Sequence, residues 1–267
     1  MPQLDALPMG AHRLFALTDE RLLRASGVLV AFTFREGGVS GGVYESLNTA
    51  SHVGDDLASE LRNREIVLEA VGAEGCEIVV PNQVHGSHVV DIWEPEEVAS
   101  KKDEAAQSAD GVLVGVPNVA ALLNGADCPL CAIVSPSGRF AVVHAGWRGA
   151  IAGIASKAVN MLSQGDSRDP AGFNAYIGPH IGPECFEVSA EIAQRFSDAY
   201  GPAAAPDARH VSLSQAICAD LVSAGMDASR VVSAGICTKC HPDQFFSYRA
   251  SGGQCGRHAA VTVKLEK

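Results

Sequence analysis

Three residues in this chain carry side chains from which a metal centre or a nucleophile–base pair is built: His85, Cys128 and His144. A thiolate and imidazoles suit zinc or copper, and a thiol beside an imidazole is equally the start of a cysteine hydrolase. The stretch 125–149 gives the geometric argument for bringing two of them together. It reads Gly-Ala-Asp-Cys-Pro-Leu-Cys-Ala-Ile-Val-Ser-Pro-Ser-Gly-Arg-Phe-Ala-Val-Val-His-Ala-Gly-Trp-Arg-Gly. Apolar runs at 130–134 and 140–143 flank Pro136-Ser137-Gly138, which predicts a hairpin. With its turn centred near Ser137, Leu130 lies opposite His144 and Cys128 opposite Gly146. Side chains alternate faces along a strand, so Cys128 and His144 project from one face as diagonal neighbours.

Three N/S ligands leave a fourth tetrahedral position open, the arrangement of a catalytic zinc rather than a structural one. Zinc lowers the pKa of a bound water to about 7, which makes a nucleophile near neutrality. Without metal, a Cys128 thiolate would attack a carbonyl, His144 would serve as base, and His85 would orient. Cys128-x-x-Cys131 with Cys237-x-x-Cys240 is a competing four-cysteine pattern, but the halves lie too far apart for a zinc ribbon. Cys131 also points away from Cys128 on the predicted register. Cys76, Cys185, Cys218 and Cys255 read as structural. Nine histidines without a His-x-His pair make a multicopper oxidase physically poor.

The elements that must position these groups alternate between strand and helix. Strands are expected at 28–34, 77–81, 89–93, 111–116, 119–123, 173–177, 231–236, 245–249 and 259–265, and helices at 55–71, 150–162, 189–200 and 212–225. His85 precedes Gly86 on a turn between strands, where a ring can be presented. In the 55–71 helix, Leu57, Leu61, Arg64 and Leu68 recur at helical spacing, which places Arg64 on the apolar stripe as an ion-pair partner or an anion ligand. Arg148 lies near a helix N-terminus that already favours an anion. Asn48 is a polar contact if the glycine-dense loop 37–42 reaches the site. These readings give a single α/β domain over 1–267 with a mixed sheet, residues 1–27 forming an N-terminal extension.

The 267 residues carry a net charge of −11, which argues against a nucleic-acid surface. No apolar run is long enough to span a membrane, and the first 25 residues lack signal-peptide order, so a cytoplasmic protein with reduced thiols is expected.

Further blocks of sequence extend the pattern: Asn82-Gln83-Val84-His85-Gly86, Ala126-Asp127-Cys128-Pro129, His144-Ala145-Gly146-Trp147-Arg148-Gly149, Ile177-Gly178-Pro179 and Phe245-Phe246-Ser247-Tyr248-Arg249. Together they resemble the YfiH family, also called the laccase-domain, polyphenol oxidase or peptidoglycan-editing-factor family. Gly37-Gly38-Val39-Ser40, Ser46-Leu47-Asn48 and Asn63-Arg64 fit its N-terminal pattern. Gly125 stands where the family usually has Thr, and Cys255 near its usual Thr-Gly-Arg.

The resemblance implies a layered α/β sandwich similar to the catalytic domain of cytotoxic necrotizing factor toxins, and zinc at His85, Cys128 and His144. It also implies phosphorolysis of adenosine, inosine, guanosine or methylthioadenosine, and adenosine deamination. Asp127 is then a candidate acid/base beside Cys128, with Asn48, Arg64 and Arg148 on sugar or phosphate. Nucleoside and phosphate are the expected small-molecule partners, and no protein partner is readable. The copper label is discounted on the histidine argument. A metal-independent cysteine hydrolase trimming cell-wall precursors and a non-catalytic partner holding structural zinc remain as alternatives.

Overall fold

The computed structural model describes residues 1–11 and 14–265. In chain order its main elements are β1 (Asp5–Met9), β2 (Leu14–Thr18), α1 (Glu20–Ser26), β3 (Val28–Thr33), α2 (Leu57–Ala70), β4 (Glu77–Val79) and β5 (Val89–Ile92). They continue with α3 (Val98–Gln107), β6 (Gly111–Val114), β7 (Val119–Gly125), β8 (Leu130–Val134), β9 (Phe140–His144), α4 (Trp147–Ile151) and α5 (Ile154–Asp166). The chain closes with β10 (Asn174–Ile177), α6 (Ala190–Tyr200), α7 (Leu213–Ser223), β11 (Val231–Ser233) and β12 (His258–Lys264).

Two mixed sheets form where the sequence suggested one. Their orders are β1-β2-β3-β12-β7-β4 and β11-β10-β8-β9-β6-β5. The second sheet shows why strand alternation was faint. In β8, Leu130, Ala132 and Val134 face the other sheet, while Cys131 and Ile133 face α5 and α7. Both faces are buried, so the strands read as continuous apolar runs. The first sheet likewise turns Leu29, Ala31, Leu122 and Val261 toward Ile66, Val67 and Ala70 of α2. The result is four layers, helix–sheet–sheet–helix. No helix among the described residues is long and apolar enough to cross a membrane.

The described residues of the N-terminal extension 1–27 pack into the fold. β2 pairs with β3, and the buried Asp19 both caps α1 and accepts the Tyr176 hydroxyl at 2.8 Å, tying the segment to the other sheet. The stripe expected on α2 is also rotated. Leu57 and Leu61 are 61% and 49% exposed, whereas Glu60, Asn63, Ile66 and Val67 are buried. Polar residues take that face because the loop before α2 needs partners: Asn63 accepts from Val39 N at 2.8 Å and donates to Asn48 O at 2.7 Å. Gly38 packs so closely there that a Cβ would lie 2.3 Å from Ser46 O, so the glycine-dense loop is built for packing.

The expected helix at 150–162 is broken into α4 and α5 by Gly153, whose φ is +70°. Residues 245–249 form no strand. Phe245 and Phe246 are buried while the backbone turns, Ser251 N bonding Ser247 O and Arg249 N bonding the Asp127 carboxylate.

Candidate metal centre

The hairpin register is the predicted one, Leu130 opposite His144. β9 therefore ends on His144, and Cys128 sits just ahead of β8, both at the open end of the sheet. His85, on the turn between β4 and β5, completes the group. One donor atom from each of the three lies within 4.8 Å of the others, and Cys128 Sγ is 3.8 Å from His85 Nε2. Tetrahedral zinc, with Zn–S near 2.3 Å and Zn–N near 2.05 Å, would hold S and N roughly 3.6 Å apart, so the donors fit such an ion. Gly146 lies beneath them. A Cβ there would stand 3.0 Å from the His85 ring and 3.1 Å from Cys128 Sγ, so glycine keeps the space into which the ligands converge.

Asp110, which the sequence reading did not single out, organises the group. It is fully buried just before β6, and that strand's pairing with β9 places it opposite His144. Its carboxylate accepts from Val84 N (3.2 Å), His85 N (2.9 Å) and Gly86 N (2.7 Å), holding His85 at φ +61°. It also takes His144 Nδ1 at 2.8 Å, which puts the proton on Nδ1 and leaves Nε2 for a metal. Burial raises the Asp110 pKa, but these bonds outweigh it and hold the carboxyl below its usual range. The sequence signal was an Asp opening an apolar strand, legible only once β6 and β9 are known to pair.

Burial pushes the Cys128 thiol up, yet the His144 and His85 imidazoles outweigh this and bring it down to about 6. Burial likewise opposes charge on His144, and the Cys128 thiolate and Asp110 reverse it, raising His144. Metal-stripped protein should thus hold Cys128 as thiolate at pH 7. Its alkylation by iodoacetamide, followed by peptide mass mapping, should fall off only as pH drops through about 6. Metal should suppress the reaction, and a midpoint near that of an ordinary thiol would contradict the arrangement.

These groups form the foot of a cavity of about 400 Å³. One wall is apolar and aromatic (Ile181, Phe186, Tyr248), another amide (Gln83, Asn124), and Arg249, Arg257 and His52 add basic groups. Gln83 extends the β7 edge through paired 2.8 Å bonds with the Asn124 backbone. Arg257 Nη1 bonds the carbonyls of Cys255 and Gly256, and Arg249 Nη1 that of Cys185, so backbone rather than carboxylate holds both guanidiniums. Burial, then repulsion from Arg257 and His85, lowers the His52 pKa.

Asp127 lines the cavity with φ +82°, its carboxylate accepting Thr238 Oγ1 at 2.7 Å and Arg249 N at 2.6 Å. The other residues expected at the substrate lie outside the lining. Asn48 is buried one layer behind and accepts Arg257 N at 2.9 Å. Arg64 pairs with buried Glu60 and donates to Thr49 O at 2.9 Å. Arg148 is exposed, 4.4 Å from the Trp147 ring centre, on the short helix α4. Arg257 was within reach of sequence reading as the basic residue of the Cys255-Gly256-Arg257 segment.

The family described as "Multi-copper polyphenol oxidoreductase laccase" matches residues 29–264. The chain is 33% identical over 248 residues to a protein named adenosine deaminase RL5, from an unknown prokaryotic organism, covering 85% of this chain and 90% of that one. It is 29% identical over 252 residues to purine nucleoside phosphorylase YlmD of Geobacillus stearothermophilus, covering 91% and 92%. The crystal structure of that organism's YlmD superposes with a TM-score of 0.85 at 27% identity, over 98% of this chain and 100% of the other. The Bacillus licheniformis hypothetical protein YfiH gives 0.83 at 25%, over 97% of each chain.

Proposed function

Because the chain belongs to the multi-copper polyphenol oxidoreductase laccase family, we propose that it is a zinc-dependent enzyme of purine nucleosides, catalysing their phosphorolysis and the deamination of adenosine. Relatives over nearly the whole chain carry the names of both activities. The observation that carries the reading is the convergence of His85, Cys128 and His144 at the foot of a cavity with aromatic and basic walls.

His85, Cys128 and His144 would hold the metal, which supplies a Lewis acid and makes water nucleophilic near neutral pH. Copper fits less well. Multicopper chemistry needs several histidine-rich sites, and among the described residues one cluster alone contains histidine.

Phe186 and Tyr248 offer faces on which a purine stacks, and Gln83 and Asn124 lie beside them as amides able to read its edge. Arg257 and Arg249 are assigned to phosphate, the role the sequence suggested for Arg148. Asn48 then acts through Arg257 by holding its backbone. Asp127 keeps the Arg249 backbone in place, and each of its carboxylate oxygens, accepting one hydrogen bond, retains a lone pair that can take a proton.

Arg257→Gln should raise KM for phosphate about 10- to 100-fold, the loss of a charged hydrogen bond, with adenosine deamination much less affected. Equal loss in both activities would remove Arg257 from the phosphate site. The reading itself is tested by offering inosine with and without phosphate, and adenosine without it. Phosphate-dependent hypoxanthine release and phosphate-independent inosine formation support it. If neither nucleoside turns over while metal-free protein cleaves cell-wall peptide amides, Cys128 is a hydrolase nucleophile instead.

A further inference from the structure

A second group of metal-type donors converges away from the cavity foot. Glu184, Cys185, Cys237 and Cys240 each bring one ligand atom to within 4.8 Å of the others. The sequence pairs Cys237-x-x-Cys240 with Cys128-x-x-Cys131 as a four-cysteine pattern and leaves Cys185 structural. The fold sends Cys131 into the core beneath α5 and brings Cys185 and Glu184 to the distal pair instead.

The local geometry suits an ion. Cys185 Sγ is 3.5 Å from Cys240 Sγ, and Cys240 Sγ is 3.9 Å from Glu184 Oε1. A tetrahedral ion with metal–sulfur bonds near 2.3 Å sets its sulfurs roughly 3.8 Å apart. Two tight turns present the donors from opposite sides. Cys185 N bonds Gly182 O at 2.9 Å in one, and His241 N bonds Cys237 O at 3.1 Å in the other. Gly182 N donates to Cys237 Sγ at 3.2 Å, a bond that favours a thiolate. A Cβ on Gly182 would lie 2.3 Å from Glu184 Oε1, so the missing side chain is what lets that carboxylate fold back toward the sulfurs.

We propose that Cys185, Cys237 and Cys240, with Glu184, form a second metal site for a zinc-class divalent ion. Three sulfurs and one oxygen fill a tetrahedron from protein alone, so the site is a structural one with no position for substrate. On binding, three metal–sulfur bonds and one metal–oxygen bond form, and three thiol protons pass to solvent. The metal fastens the segment carrying Ile181 and Phe186 to the segment carrying Thr238, the partner of Asp127. Backbone bonds already join the two segments, His180 N to Ile236 O at 3.2 Å and Thr238 N to His180 O at 3.1 Å. The ion thereby fixes one wall of the cavity without touching its contents.

Metal analysis of the full chain, expressed with zinc and freed of loose ions, tests this independently of any nucleoside activity. Wild-type protein should carry two equivalents of zinc. Cys240→Ser, at an exposed position, should carry one and keep the ion of the Cys128 centre, whereas His144→Ala should lose that ion and keep the second. Cobalt-loaded His144→Ala should show strong thiolate-to-cobalt charge-transfer bands of a tetrahedral site, so the test survives poor folding of the cysteine variant. One equivalent in wild type, unchanged by Cys240→Ser, overturns the proposal and leaves the Cys128 centre standing. A Cys185–Cys240 disulfide in protein purified under reducing conditions overturns it as well.

Discussion

His85→Ala should lower kcat/KM for nucleosides by at least about 10³, the several kcal/mol that a metal contributes to a transition state, and should release the ion. His85 is exposed, so its removal leaves the core intact. This substitution separates the two chemistries better than Cys128→Ala, which disables both. In a metal-free cysteine hydrolase His85 only orients, and its loss is mild. In the metal reading any one ligand is as necessary as another. Cys128→Ala, His144→Ala and the pair together should then cost no more than His85→Ala, because groups acting as one unit are not additive. Steady-state kinetics beside metal analysis reads the outcome, and turnover within tenfold of wild type would remove His85 from the centre.

Asp110→Asn is the second large effect. The variant keeps the shape of the side chain but replaces an oxygen that accepts several N–H groups with an NH2 that cannot. Some of Val84 N, His85 N, Gly86 N and His144 Nδ1 lose their acceptor at a site with no solvent access. Each unsatisfied buried donor costs about 1–3 kcal/mol. A total near 3 kcal/mol corresponds to a melting temperature lower by roughly 6–12 °C. Metal affinity should fall about 10- to 100-fold through the His144 tautomer and the His85 backbone. Zinc titration against a competing chelator, beside thermal unfolding, measures both. Unchanged affinity with lowered stability would make Asp110 a loop anchor only.

How far the sequence could be read depends on the range of the interactions involved. Cys128 and His144 were legible because a single hairpin joins them and its turn fixes the register. His85 had only its turn and its place in a known block of residues. Asp110 was missed because its strand meets β9 across the sheet rather than around a turn. On α2, Leu57 and Leu61 suggested the wrong face, since Glu60 and Asn63 are buried by hydrogen bonds and an ion pair that periodicity does not register. Arg148 looked poised for an anion beside a helix start, but α4 is five residues long and none of its residues lines the cavity. Two stacked sheets looked like one because strands buried on both faces give no alternation.

The most direct test of the central claim is an anomalous difference map at the zinc edge from crystals of the zinc-loaded protein. A peak is expected among His85 Nε2, Cys128 Sγ and His144 Nε2, at about 2.3 Å from sulfur and 2.0–2.1 Å from nitrogen. Full zinc loading with no peak there, or a map in which the three side chains face apart, would contradict it.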